Sequence, residues 1–331
     1  MKKHFFKKMS SLLLIITLLT GLCGCRIGGK EIVVNTSLGG TEVFRIGSVT
    51  CSLAKAKVVL LNYQNLYGTV YGVNLWEQES GGDSLAEYIK DLTISQLAKV
   101  VAMNLLADEK RVALTDTEKK RLTDAASEYY ETLNAEERSY LKVNKSDIED
   151  LYLWYGLADK LYQTLTEDVH EEVSDDEARV MTAQQIFVTS KESADAVAAS
   201  LAQGTEFTTV QTTYNEGDKT EWSFGRTDVP DEVEQVAFAL SDGETSGKIE
   251  AEDGYYFIKC ISHYEQELSD ANKETIYENR KKEAFDDVYD AFVEKTSSRM
   301  NETLWDSVEP EWKDSLSTDS FFTVFEEHWG L

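Results

Sequence analysis

Proline, histidine, cysteine and positive charge are all in short supply in this chain, and each shortage closes an option. Two prolines occur in 331 residues, and none precedes Pro230, so nothing breaks a long N-terminal run of helical pattern. The four histidines, His4, His170, His263 and His328, are scattered. Together with the cysteines they make no spacing of metal-ligand type, and the last three are expected at the surface. Cys51 and Cys260 are compatible with a disulfide in an oxidising compartment and equally with two free buried thiols. Lysine and arginine number 33 against 60 aspartates and glutamates, leaving a net charge of −27. Such a chain is repelled by nucleic acid and by anionic lipid headgroups. No nucleophile triad, Gly-rich phosphate loop or paired-carboxylate signature is present, and no cofactor is implied. Acid-rich runs such as 167–177 read as solvated faces. What is present, 42% hydrophobic residues and 16 tyrosines, argues for folded cores and about two domains.

The one greasy run lies at the start. Lys2, Lys3, Lys7 and Lys8 precede residues 9–22 (MSSLLLIITLLTGL), a stretch too short for a stable bilayer anchor and of secretory-signal length. It closes on Leu22-Cys23-Gly24-Cys25, which resembles the bacterial lipobox. The small Gly24 precedes Cys25, whereas bulky Leu22 precedes Cys23. The resemblance implies that residues 1–24 are a signal peptide, that cleavage occurs before Cys25, and that the Cys25 thiol is acylated. The protein is then expected outside the cytoplasmic membrane, lipid-anchored to it. Its own charge would not hold it there, and one acyl chain binds only marginally.

Residues 25–50 read as a lipidated tether with a short strand at 43–46. From 51 to 176 the pattern is helical. Leu85, Ile89, Leu92, Leu97, Val101 and Leu105 form one amphipathic stripe, and Leu151, Trp154, Leu157, Leu161 and Leu165 another. Thr115–Glu118, Asn134–Glu137, Ser146–Glu149 and Ser174–Glu177 each set a capping side chain three residues before an acid. At about Arg179 the texture changes. A strand over 180–188, helices over 191–202, 207–214 and 229–240 with a short strand between the last two, and two strands around Asp253-Gly254 give the order β-α-α-β-α-β-β, a small α+β domain. Gly204 suits the first helix stop and Pro230 the third helix start. Residues 269–300 predict one long helix, expected to pack back on the N-terminal helices. Residues 318–331 read as an acidic, aromatic C-terminal tail with a weak helical pattern.

Several ordered motifs in the α+β segment are similar to the parvulin-type peptidyl-prolyl isomerases. They are Ala183-Gln-Gln-Ile186, Leu201-Ala-Gln-Gly204 with Glu206-Phe207, Phe224-Gly225-Arg226, Ala237-Phe238-Ala239-Leu240, Asp242-Gly243-Glu244 with Ser246-Gly247, and Asp253-Gly254-Tyr255-Tyr256-Phe257-Ile258-Lys259. The whole layout resembles the PrsA- and SurA-like foldase lipoproteins. That implies an α+β fold: a mostly helical chaperone domain (51–176 completed by 265–317) with an inserted parvulin-like rotamase domain at 177–264. It also implies a helical crevice for unfolded or proline-containing exported polypeptides, with no nucleic acid among the partners.

The resemblance also locates a site and its departures. The family's two core histidines fall on Gln185 and Tyr256, which could bond one another across adjacent strands. Its acidic or thiol residue falls on Gly217, with Asp218 next to it as a substitute. Its gripping Met and Phe fall on the smaller Val229 and Val233, and the apolar lining is expected from Phe187, Phe224, Phe238 and Phe257. An isomerase with weak or lost activity, a non-catalytic holdase and an envelope scaffold all remain open on these residues.

Overall fold

The computed structural model describes residues 26–27, 30–31, 38–71, 79–80, 83–169, 172–310 and 313–330. The signal segment and Cys25 lie outside the described residues, as do His4 and His170. The described chain forms two compact units, Met1–Asp168 with Lys282–Leu331 and Val169–Lys281. The inserted unit is thus wider than 177–264 at both ends. Among the described residues no helix is long and apolar enough to cross a membrane.

In the first unit, strands β1 (Glu42–Ile46) and β2 (Val49–Ser52) form a hairpin. Gly47 turns it at φ 53°, a conformation that favours glycine. The expected strand at 43–46 is therefore real, but it is no part of a tether: Val43, Phe44 and Ile46 are buried in the unit's core. Helices α1 (Leu53–Tyr71), α2 (Leu85–Lys110), α3 (Asp116–Thr132), α4 (Ala135–Leu141) and α5 (Lys145–Thr166) follow. The predicted α2 stripe is the buried one, with Ile89, Leu97 and Val101 inaccessible.

Capping boxes at Thr115 and Asn134 start α3 and α4 as expected. The α5 box forms two residues earlier than Ser146. Asn144 Oδ1 accepts the Asp147 N–H at 3.1 Å while the Asp147 carboxylate accepts the Asn144 N–H at 3.0 Å. Ser174 Oγ accepts the Glu177 N–H at 3.1 Å, but only a turn follows. No apolar stripe continues it, and the chain becomes extended at Val180.

The second unit is built on β3 (Val180–Val188), β4 (Glu221–Gly225), β5 (Ile249–Ala251) and β6 (Gly254–Ser262), in the order β4-β3-β6-β5 with every pair antiparallel. Helices α6 (Lys191–Ala202), α7 (Phe207–Tyr214) and α8 (Asp231–Ala237) complete it, α8 being shorter than expected, with Pro230 at its N-cap. Side-chain alternation along the strands makes two separate cores. Ile186, Val188 and Phe257 join α6 and α7 in one. Met181, Ala183, Tyr256, Ile258 and Phe224 join α8 in the other. Cys260 lies in this unit and Cys51 in the first, and both are free buried thiols. Burial pushes the Cys51 thiol up to about 12, so it has no thiolate character.

The long helix α9 (Gln266–Val293) stops seven residues before the expected 300, and its Phe285, Tyr289 and Val293 are buried in the first unit's core. The chain then adds β7 (Ser298–Met300) to the edge of β1, and a short helix α10 (Glu302–Asp306).

The last element, α11 (Phe321–Trp329), corrects the expectation of a tail at 318–331. Phe321 is fully buried; it stacks on Tyr152 at 4.6 Å and meets Tyr129 edge-on at 5.3 Å. Phe322 stacks on Tyr63 at 5.0 Å. Polar groups fix the approach. The Phe321 N–H donates to Asn62 Oδ1 (3.0 Å), the Tyr152 hydroxyl donates to the Phe321 carbonyl (2.8 Å), and the buried Glu137 carboxylate accepts from Ser317 N–H and Thr318 N–H. The segment is core, placed there by aromatic burial and closed by paired polar atoms. Phe321→Ala is expected to lower the unfolding free energy of the full chain by about 3–5 kcal/mol, measured by urea titration followed by helical circular dichroism; a cost below 1 kcal/mol would return the segment to tail status.

Candidate functional site

The face of the second unit's sheet that carries Gln185 is set by strand register. Tyr256 lies opposite Phe187 and Ile258 opposite Gln185 on β6, while Trp222 of β4 lies opposite Ala183. With a period of two, Ala183, Gln185 and Phe187 of β3 point the same way. The result is a row running from Trp222 through Ala183, Gln185 and Phe187 to Tyr256. Phe187 and Tyr256 have ring centroids 4.9 Å apart and tilted by 49°.

Gln185 is held by its backbone. Its carbonyl accepts from Gln211 Nε2 (2.7 Å) and its N–H donates to the Thr220 carbonyl (2.8 Å). The loop after α7 is drawn along β3 by two amide side chains. Gln211 Nε2 also reaches the Thr220 carbonyl (2.8 Å), and Asn215 takes the Phe187 N–H on Oδ1 (2.8 Å) while donating to the Gly217 carbonyl (2.7 Å). Sequence reasoning missed Gln211 and Asn215; their signal was two amides bracketing a short polar helix end. The Glu216 carboxylate accepts from the Thr189 hydroxyl and N–H, which hold it below its usual range. Asp218 is exposed at the surface of this loop.

Gln185 and Tyr256 do share a face, yet the expected bond between them is replaced. The Tyr256 hydroxyl donates to Asp253 Oδ2 at 2.6 Å. The two residues are diagonal neighbours across the β3–β6 ladder, and Asp253, in the turn that begins β6, takes the hydroxyl's hydrogen bond instead. Burial pushes the Tyr256 hydroxyl up, and the Asp253 bond and charge add to this. It stays protonated through the physiological range and supplies no general acid or base near neutrality.

The expected lining divides. Phe187 is half-buried and remains accessible. Val233 and Phe224 are closed in the core. Val229 is nearly so. Phe238 is sealed between two guanidinium groups, Arg179 at 5.0 Å and Arg226 at 4.7 Å from its centroid. Arg226 is fixed in turn by Glu234 (2.9 Å) and Asp176 (2.7 Å). Phe257 does not belong to the site: it packs against α6 and α7 on the opposite face, as it must beside Tyr256 on a pleated strand. Trp222, not foreseen as lining, is half-exposed beside Phe224, ring centroids 4.8 Å apart, with Lys219 Nζ 4.8 Å from its ring. What remains is a shallow apolar strip, Trp222 and Phe187 with the edge of Tyr256, and the Gln185 amide between them. It can cover an apolar ring and desolvate an amide.

The model of the family described as the PPIC-type PPIASE domain matches residues 159–273. The chain carries a parvulin-type peptidyl-prolyl isomerase domain. The span covers all four strands of the second unit. Over 302 residues, 81% of this chain and 86% of the relative, the sequence is 23% identical to the foldase protein PrsA of Clostridium acetobutylicum. Two crystal structures of peptidylprolyl isomerase PrsA are also similar. That from Bacillus anthracis is 17% identical and covers 60% of this chain and 96% of its own, with a TM-score of 0.35. That from Bacillus cereus is 16% identical and covers 90% and 98%, with a TM-score of 0.37. Superpositions at those scores are too loose to compare sites.

In the parvulin-type domain the closest packing is at Gly254. A Cβ there would lie 2.7 Å from the Phe187 ring and 2.7 Å from the Val188 carbonyl oxygen, a backbone atom that cannot swing away. Gly254→Ala is therefore expected to displace Phe187 and to cost about 1–3 kcal/mol, read from urea unfolding and from the shift of the Phe187 ring resonances. Unchanged ring resonances at full stability would show that the strip is not held by this contact.

Proposed function

We propose that this chain is an extracytoplasmic foldase that holds exported polypeptides, in which the parvulin-type domain binds apolar segments and has weak or no isomerase activity. The family match and the PrsA relative support the foldase class. One observation carries the loss of activity. At the two positions that resemble the family's histidines stand Gln185 and a tyrosine whose hydroxyl already donates its hydrogen bond to Asp253.

Rotation about an X–Pro bond faces a barrier of about 18–20 kcal/mol from amide resonance. No covalent step is required. Desolvation and a few hydrogen bonds favour the twisted amide, and a closed cup must grip the proline ring. Here Val233 and Phe238 are packed away and the remaining strip is shallow, so grip and hydrogen-bond network are both reduced. The Asp218 position, exposed in its loop, adds no replacement. The full chain, purified without its signal segment, is expected to slow the aggregation of a chemically unfolded client at stoichiometric amounts. It should accelerate isomerisation of an X–Pro tetrapeptide less than about tenfold over the uncatalysed exchange of tens to hundreds of seconds. Rapid isomerisation would overturn the chaperone reading, and unchanged aggregation would overturn the foldase class.

Anchoring belongs to the same proposal. The lipobox-like segment ending at Cys25 supports cleavage and acylation there, which would keep an acidic protein at a membrane that its charge avoids. Cys25→Ala is expected to leave the precursor uncleaved and unlabelled by a radioactive fatty acid. Normal processing and labelling of that variant would refute the anchor.

A further inference from the structure

We propose that the helical unit carries a binding site for a small-molecule methylated ammonium group, of the kind found in choline. The site goes beyond the holding function and does not depend on it. A cavity of about 80 Å³ lies among α2, α5, α9 and α11. Four aromatic rings stand in its wall, Tyr155, Tyr162, Phe285 and Phe325, together with the charged Lys99 and Asp159. Lys99, Asp159 and Tyr162 are only half-buried, so the wall reaches the surface on that side. An apolar cavity of about 150 Å³ takes a benzene ring, so this one takes a single compact branched group.

The wall sets the sign of the ligand's charge. Aromatic faces attract cations, and the chain's own Lys99 shows it: its Nζ lies 5.6 Å from the Phe285 ring centroid and 5.3 Å from that of Tyr289. Lys99 and its neighbour Lys282 are matched by Asp286 and Asp290, and Lys282 is ion-paired with Asp286. Asp159 has no such match. Its Oδ2 accepts from the Trp329 indole N–H and from the Gln163 amide, each at 2.6 Å, and both donors are neutral. Among the described residues no lysine, arginine or histidine pairs with it. Burial pushes its carboxyl up, as befits a carboxylate drawn from water without a counter-ion. A cation seated in the cavity supplies that counter-ion.

The wall also chooses among ammonium groups. It is almost entirely carbon. A primary ammonium, including that of a lysine side chain, brings three N–H donors that need acceptors and a tightly held hydration shell. A trimethylammonium group has no donor to satisfy, and its methyl groups pack against carbon and ring faces.

The test is calorimetric titration of the full chain, purified without its signal segment, with choline chloride. Ethanolamine serves as the primary-ammonium control and 3,3-dimethylbutan-1-ol as the neutral isostere. Choline is expected to bind about tenfold more tightly than either and to shift the ring resonances of Tyr162 and Phe325. Asp159→Asn should weaken choline about tenfold while leaving the melting temperature equal or higher, and Lys99→Gln, which removes a competing cation, should tighten it. No choline binding, unmoved ring resonances, equal binding of the isostere or of ethanolamine, or full affinity in Asp159→Asn would each overturn the site. Weaker binding in Lys99→Gln would overturn it too, since that result belongs to an anionic ligand. Phosphatidylcholine vesicles distinguish the sources: competition with choline assigns the site to a lipid headgroup, and choline binding untouched by vesicles assigns it to a free solute.

Discussion

Antiparallel pairing of β3 with β6 is the constraint on which the candidate site depends. Once Tyr256 is opposite Phe187, every neighbouring residue on those strands is committed to one face or the other, because a slip of one residue would reverse the whole set. That commitment puts Gln185 and Tyr256 together and sends Phe257 into the opposite core. It also decides the polar chemistry. Tyr256 finds its acceptor in the turn residue Asp253 rather than across the ladder.

The helical unit is closed by a different logic. Its aromatic core is completed from both ends of the chain, by the β1–β2 hairpin and by α11. Tyr129, Tyr152 and Phe321 are among its largest fully buried side chains, and Asn62 and Glu137 each turn one oxygen to the backbone that delivers α11. A buried carboxylate such as Glu137 is tolerable because three N–H groups pair it, those of Ser317, Thr318 and Asn134. Deep aromatic burial and a small cavity bounded by Tyr155, Phe285 and Phe325 occur in the same unit, which is where a chaperone reading needs structure rather than disorder.

The two candidate surfaces differ in kind. The strip on the parvulin-type domain is shallow, neutral at its centre and without a titratable group in the ordinary catalytic range. The helical cavity is small and lined mostly by carbon, with Lys99 and Asp159 in its wall. The acid-rich exterior weakens adhesion to anionic membranes.

The sequence alone settled what depends on local pattern: the helices with their apolar stripes and the boxes at Thr115 and Asn134, the β-α-α-β-α-β-β order and the parvulin-type segment. Those features rest on spacing and capping within a few residues, where side-chain periodicity is the cause. Only the tertiary structure decided that Phe257 belongs to the far core, that Phe238 is sealed by Arg179 and Arg226, that Trp222 faces the site, that Gln211 and Asn215 hold the loop, and that residues 321–329 are core. Each of these is settled by partners from distant parts of the chain, and burial, register and hydrogen-bond pairing across such distances leave no local mark in the order of the residues.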